Sequence, residues 1–464
     1  MTMAFKRFFG GRREMDMTQG SVIKTILVFA FPLLVGNLFQ QFYNMVDTWV
    51  IGQAGLTEAF AAVGNVGPII NMVIGFFVGL SGGTGVVISQ FYGAKDYKRV
   101  HDAVHTAIAV TLVMGVICTV VGVVFTPYFL NWIFRGESAE IYAYGYQYLS
   151  IYFAGIIGMM IYNMASGILR AVGDSSRPFY FLVVSSLVNV VLDFVFVFAF
   201  DMAAAGVALA TIIAQFVSAF LSVLALLKNE TCIKLIIKDI KICKNVLFKI
   251  IKIGFPAGLQ MAITAFSNIF VQSYIAGVNG NETHILGGWN AYSKIDMFMF
   301  LPVQSIALAV TTFVGQNVGV GNYKRARQGT YKAMLLSLCI TGTLIVLTMT
   351  FSEYLVRFFI DDEGIVTCGR TLLLWLSPFY ILPCVNQIFA ASLRGMGNST
   401  APMLIMLSSF VGFRQVYLYI VSSKISNELL PIAFSYPCGW FVCACTISIY
   451  FFFYKPKKNK VLDG

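Results

Sequence analysis

Twelve stretches of the chain are long and apolar enough to cross a lipid bilayer as helices: 24–50, 59–83, 100–126, 143–168, 178–200, 204–227, 247–278, 286–314, 329–351, 367–391, 402–422 and 430–454. A spanning helix needs about 20 largely apolar residues, whereas a barrel strand needs about 10. Inside hydrocarbon the backbone must satisfy its own hydrogen bonds, which a helix does and an open sheet edge does not. The pattern therefore predicts an all-α integral membrane protein with twelve transmembrane helices. Composition agrees: 58% of the 464 residues are hydrophobic and 11% are charged, where soluble domains carry about 25% charged residues. A pair or trio of soluble domains, disorder and a disulfide scaffold are all excluded, since nine cysteines are sparse in this length. Cys438, Cys443 and Cys445 cluster in sequence, but their apolar neighbours predict buried thiols rather than a metal site. No small-residue cleavage site follows the first run, so a retained span is expected in place of a signal peptide.

The connecting segments separate by charge. Of 32 basic residues, 26 fall on one side if both ends share it: Lys6, Arg7, Arg12, Arg13 and Lys24, the 95–99 and 170–177 loops, seven lysines in 228–252, the 324–332 and Arg394 loops, and Lys455, Lys457, Lys458 and Lys460. The other side holds Arg135, Arg357, Arg370 and Lys424 against ten acids, among them Glu58, Glu137, Glu140 and Glu282. The positive-inside rule then places both termini in the cytoplasm of a cell (plasma) membrane protein. The net charge of +11 reads as topology, and no nucleic-acid partner is expected.

The basic 228–252 segment divides the chain into six spans plus six, and the halves repeat each other. Phe31-Pro32 recurs as Phe255-Pro256. Gln90 and Tyr97-Lys98-Arg99 recur as Gln316 and Tyr323-Lys324-Arg325. Leu169-Arg170-Ala171-Val172-Gly173-Asp174 with Pro178 recurs as Leu393-Arg394-Gly395-Met396-Gly397-Asn398 with Pro402. The offset is nearly constant over these separated blocks, which means an internal duplication. Because six is even, both copies face the same way, and parallel repeats of this kind are a transporter architecture. The expected organisation is a tail (1–23), an N-terminal six-helix lobe (24–227), a basic linker (228–246), a C-terminal six-helix lobe (247–454) and a second tail (455–464), the lobes being pseudo-symmetric.

Few charges stand inside the spans: Asp47, Asp193, Asp296, Lys294 and Arg414. Each costs at least about 2.5–3.5 kcal/mol there, which makes it a functional candidate. Asp47 and Asp193 lie toward the outer ends of two outward-running spans. Asn37, Gln40, Asn44 and Asp47 form one helical stripe, and Asn189 shares a face with Asp193. Thr211, Asn163 and Tyr148 could add polar atoms. Carboxylates so placed can exchange a proton or hold sodium through their oxygens; they can also simply hydrogen-bond helices together. Asp296 and Lys294 suit a structural pair or a cavity lining, and Arg414 a partner or a cleft in the C-terminal half. Pro32 and Pro256 remove a backbone donor within a helix and offer bending points. Phosphate-loop, His-Glu-x-x-His and Gly-x-Ser-x-Gly patterns are missing from the sequence. The three histidines (His101, His105, His284) lie away from mid-span. No enzyme activity, cofactor or resident metal is expected, and an ion gradient or a partner would supply the energy.

The runs Gln40-Gln41-Phe42-Tyr43-Asn44-Met45-Val46-Asp47-Thr48, Leu169–Asp174 with Pro178, and Leu187-Val188-Asn189-Val190-Val191-Leu192-Asp193 resemble motifs of the bacterial type of the multidrug and toxic compound extrusion (MATE) family, and the resemblance covers about residues 18–454. It implies a V-shaped pair of six-helix bundles and alternating access, with export of organic, often cationic, compounds against H+ or Na+. It assigns the cation site to Asp47, Asn189 and Asp193, where a transient sodium is admitted, and a supporting shell to Gln40, Tyr43, Tyr148, Asn163 and Thr211. Gln260, Asn268, Asp296 and Arg414 are candidates for a C-lobe cleft. Span 7 offers Gln260, Thr264, Asn268 and Gln272 but no acid, which weakens a second cation site. Organic substrates and the bilayer are the expected partners, and a monomer the expected state. The alternative is a lipid-linked precursor flippase of the same superfamily, for which a continuous cationic groove is needed and only Lys294 and Arg414 are present mid-span. A fluorescent protein fused after Gly464 is expected to fluoresce in cells, as a cytoplasmic C-terminus requires; a dark fusion that is membrane-inserted would invert the topology.

Overall fold

The computed structural model describes residues 14–53, 57–134, 138–280 and 282–456. Among the topology-setting charges, Lys6, Arg7, Arg12, Arg13, Arg135, Glu137, Lys457, Lys458 and Lys460 lie outside these residues, as does most of each predicted tail. Twelve helical spans occur among the described residues: α1 Val22–Gln53, α2 Glu58–Gly93, α3 Tyr97–Asn131, α4 Ala139–Ala171, α5 Ser176–Ala199, α6 Ala203–Leu227, α7 Lys244–Ala276, α8 Glu282–Gly319, α9 Tyr323–Thr350, α10 Glu363–Gly395, α11 Thr400–Ile425 and α12 Leu429–Phe453. No strand is present among the described residues. Several spans outrun the predicted stretches, because helix continues past the apolar stretch into polar ends. Side chains such as Phe220 and Leu335 are exposed on the spans, as expected where the surrounding solvent is lipid tail rather than water.

The chain packs as two compact units. In the first, residues 14–16 with Phe31–Phe255, α4 lies at the centre against α2, α3 and α6. Its glycines allow close approach: Gly155 faces Ile212 and Gly158 faces Phe216. Where α2 meets the start of α7, Gly83 lies so near the Gly254 backbone that an added Cβ would collide with it. In the second unit, Met17–Ala30 with residues 256–456, α8 packs against α9 and α10. Its core near one end gathers Trp289, Tyr292, Ile295, Leu372, Leu376 and Leu418. The unit boundaries fall at Phe31 and Pro256, inside α1 and α7, whose helices continue unbroken through Pro32 and Pro256.

The sequence repeat becomes a repeat of turns. Gly173 and Gly397 both adopt positive φ, at +90° and +86°. Each follows a helix end at which the next residue's amide returns to a carbonyl five residues back, Asp174 to Leu169 and Asn398 to Leu393. The side chains of Asp174 and Asn398 then accept from the first amides of the following helix, Ser176 and Arg177 in one copy and Ala401 in the other. Asp174 also pairs with the buried Arg177 guanidinium. Asp96 and Asn322 cap α3 and α9 in the same way. Cys443 is buried, Cys438 half-buried and Cys445 exposed; the three thiols therefore do not share one buried environment, since residues two apart on a helix face different sides.

Adjacent glycines give a test of this packing. Gly83→Ala must push backbone apart at α7 and is expected to destabilise by about 1–3 kcal/mol, whereas Gly82, with nothing within 4 Å of its added Cβ, should accept alanine without loss. Thermal unfolding of the two variants in detergent checks the difference.

Candidate cation site

Asp47 is carried by α1, Asn189 and Asp193 by α5, and Thr211 by α6. The periodicity of α5 puts Asn189 and Asp193 one turn apart on its inner face, where they are 1% and 0% exposed. The Asp47 carboxyl is near enough to Asp193, Asn189 and Thr211 to exchange hydrogen bonds. No bond of normal geometry closes among them. Asp47 Oδ1, both carboxylate oxygens of Asp193, both amide atoms of Asn189 and Thr211 Oγ1 are buried without a partner. A buried polar atom left unpaired costs about 1–3 kcal/mol, more when charged. Five of the six are oxygens, Asn189 Nδ2 being a donor, and oxygens gathered in this way are a candidate site for a small cation.

Around them stand tyrosines. Tyr43, one turn before Asp47, lies beside both Asp47 and Gln40. Tyr148 on α4 faces both carboxylates and stacks on Tyr152 with centroids 6.5 Å apart at 16°. Tyr152 in turn reaches Gln215, one turn beyond Thr211 on α6. Tyr152 and Gln215 went unassigned from the sequence; their four-residue spacing from Tyr148 and Thr211 is the signal that would have found them. Asn163 is turned elsewhere: its Nδ2 donates to the Met159 carbonyl at 2.9 Å, while its backbone carbonyl accepts from Ser81 Oγ at 2.8 Å. Asn44, on the predicted stripe, is exposed.

The candidate residues of the second unit have protein partners. Gln260 accepts from Arg394 at 2.8 Å. Arg414, 4% exposed, donates to Ser267 Oγ at 3.1 Å and Asn268 Oδ1 at 2.9 Å and lies 4.8 Å from the Tyr436 ring centroid. Asp296 accepts from the Tyr380 hydroxyl, which also meets Tyr292 at 3.2 Å. Lys294 is exposed, and no ion pair joins it to Asp296 among the described residues, because residues two apart on a helix point away from each other.

A separate cavity of about 360 Å³ lies between the tail and the linker, lined by Glu14, Asp16, Tyr92, Tyr97, Thr231 and Cys232. Burial and the neighbouring Glu14 push the Cys232 thiol up to about 12, so it stays protonated and is no nucleophile.

A family model, MatE, matches residues 32–195 and again 256–420, the second match beginning at Pro256, the counterpart of Pro32 in the repeat. The probable multidrug resistance proteins YoeA and YpnP of Bacillus subtilis are 27% and 28% identical over 446 residues, covering 95% and 96% of this chain and 95% and 98% of theirs. A solved MOP superfamily transporter from Pyrococcus furiosus matches with a TM-score of 0.87 at 22% identity, over 95% of this chain and 97% of that one, a likeness of fold. With its twelve apolar spans and the same model matched in each half of the sequence, the chain is a multi-pass membrane protein and not an enzyme, and it belongs to the MatE family of multidrug and toxic compound extrusion (MATE) transporters.

Proposed function

We propose that the protein is a secondary multidrug antiporter that exports organic, often cationic, compounds in exchange for H+ or Na+ by alternating access. The observation that carries this reading is the facing pair of buried carboxylates, Asp47 and Asp193, with Asn189 and Thr211 between helices. Two like charges this close in apolar surroundings need a positive charge between them. A proton or a sodium ion supplies it, and binding draws α1, α5 and α6 together. Without the cation, the charges repel and the three helices relax, so the two states differ in ion affinity; that difference is what lets an ion gradient shift their populations.

Pro32 serves as the bending point of α1 and Pro256 as its counterpart in α7. The lobes are the sequence repeats 24–227 and 247–454, joined by the linker 228–246, with both tails in the cytoplasm of a plasma-membrane monomer. Tyr43, Tyr148 and Gln40 form the wall beside the cation, to which Tyr152 and Gln215 are added. Gln260, Asn268, Asp296 and Arg414 are held by protein partners, which supports a packing role, although Arg414 Nε is buried and unpaired. No nucleic acid or cofactor enters this cycle. The names of the relatives, multidrug resistance and export proteins, support the substrate class. A lipid-linked precursor flippase is disfavoured: Arg414 is buried against Ser267, Asn268 and Tyr436 and leaves no cationic track with Lys294.

Dye efflux from inverted vesicles under separately imposed proton and sodium gradients tests the reading. Asp193→Asn and Asp47→Asn are each expected to reduce coupled efflux to the level of empty vesicles with normal insertion. Full gradient-driven efflux by the double variant would overturn it. Thr211→Ala removes one neutral oxygen worth about 1 kcal/mol and is expected to weaken the apparent affinity for the coupling ion by roughly fivefold, read from the ion dependence of the same assay.

A further inference from the structure

A cluster of metal-ligating side chains that the transport cycle does not use stands where the linker crosses the start of α3. His101 and His105, one turn apart, share a face of α3, their ring centroids 4.0 Å apart. Asp239 stands on the linker turn Ile237–Asp239 and brings Oδ2 to 3.5 Å from His101 Nε2. One ligand atom from each of the three lies within 4.8 Å of the other two. Ligands about 2.0–2.2 Å from a tetrahedral zinc ion stand roughly 3.4 Å apart, so closure by little more than ~1 Å would complete a site.

The local hydrogen bonds already fix the tautomer that ligation needs. His105 Nδ1 meets the His101 carbonyl at 2.7 Å; a carbonyl can only accept, so Nδ1 carries the proton. His105 Nε2 accepts from the Ile236 amide at 3.0 Å, which confirms a lone pair there facing the linker. An imidazole whose Nδ1–H is anchored to a backbone carbonyl is the usual support of a metal-bound histidine. The rest of the linker is held by Thr106, whose hydroxyl accepts from the Cys243 amide at 3.1 Å and donates to the Lys241 carbonyl at 3.4 Å. A metal would replace the Ile236 amide at Nε2; Ile236 is exposed, and the freed N–H would find water.

The charge around the cluster selects the ion. Lys98 on α3 and Lys238 and Lys241 on the linker outnumber Asp102 beside His101, while Arg99 is paired with Asp96 at 3.3 Å; the balance opposes a hard cation such as calcium or magnesium held by one carboxylate. Imidazole nitrogens favour zinc, nickel and copper, whose coordinate bonds outweigh that repulsion. We propose that His101, His105 and Asp239 form a transition-metal site of the zinc class, with water as fourth ligand, that fastens the linker to α3.

Cobalt(II) titration of the metal-free, full-length protein in detergent tests this. The expected result is a visible absorption band that saturates at one equivalent and is displaced by zinc, with at least about tenfold weaker binding in His101→Ala and in Asp239→Asn. His101→Ala leaves the His105–Ile236 hydrogen bond intact. In the unmodified protein, zinc should also slow tryptic cleavage after Lys234 and Lys238. No band in the wild-type protein, a band of equal strength in both variants, or unchanged cleavage would each overturn the proposal.

Discussion

The hydrocarbon core of a bilayer offers no hydrogen-bond partners, and this constraint runs through every part of the molecule. It makes each spanning segment a helix, and it leaves side chains as the only place where polarity can enter the membrane. Polarity enters sparingly: serines and threonines return their hydroxyls to carbonyls one turn back, as Thr111 and Thr126 do. Other buried polar atoms, such as Ser166 Oγ and Ser337 Oγ, also have no partner, but the unpaired atoms of Asp47, Asn189, Asp193 and Thr211 differ in meeting one another across three helices and in including two carboxyls.

The duplication separates the features that both six-helix units share from those that only one of them carries. The αL turns at Gly173 and Gly397, and the caps at Asp96 and Asn322, recur because each solves the same problem of ending one helix and starting the next where the backbone is tightly packed. At the offset that carries Pro32 onto Pro256, Asp47, Asn189 and Asp193 correspond to Val271, Phe413 and Tyr417. Val271 is fully buried in an apolar core, and Tyr417 gives its hydroxyl to the Pro431 carbonyl. The second copy therefore keeps the frame and drops the carboxylates. Its own Asp296, half-buried, and Arg414, buried, have no charged counterpart in the first, where Met72 and Val190 stand at the same offset.

Helical spacing made much of the site legible. Asn189 and Asp193 are one turn apart, as are Tyr43 and Asp47, and such pairs share a face in any helix. Spacing fails where direction matters. Asn163 lies on the right helix, yet its amide is spent on Met159. Lys294 and Asp296 are neighbours in sequence but point to different sides, and Asp296 finds Tyr380 on a helix far along the chain. Tyr152 and Gln215 escaped notice because a tyrosine and a glutamine among many are unremarkable until their helices are packed. His101 and His105 show only one-turn spacing in the sequence, and it is the linker that brings Asp239 alongside them.

The linear chain settled class, span number and repeat, since these depend on hydrophobic length and on the period of a helix, which are local properties. It also narrowed the search to five charges in the membrane, because desolvation penalises each one wherever it sits. Which of those charges meet was decided by packing. The glycines of α4 that admit α6, and the pairing of α5 with α6, bring Thr211 on α6 to Asp47 on α1, although four other spans separate the two helices in sequence. Contacts between distant helices depend on shape complementarity across whole faces, and no single-helix pattern encodes that.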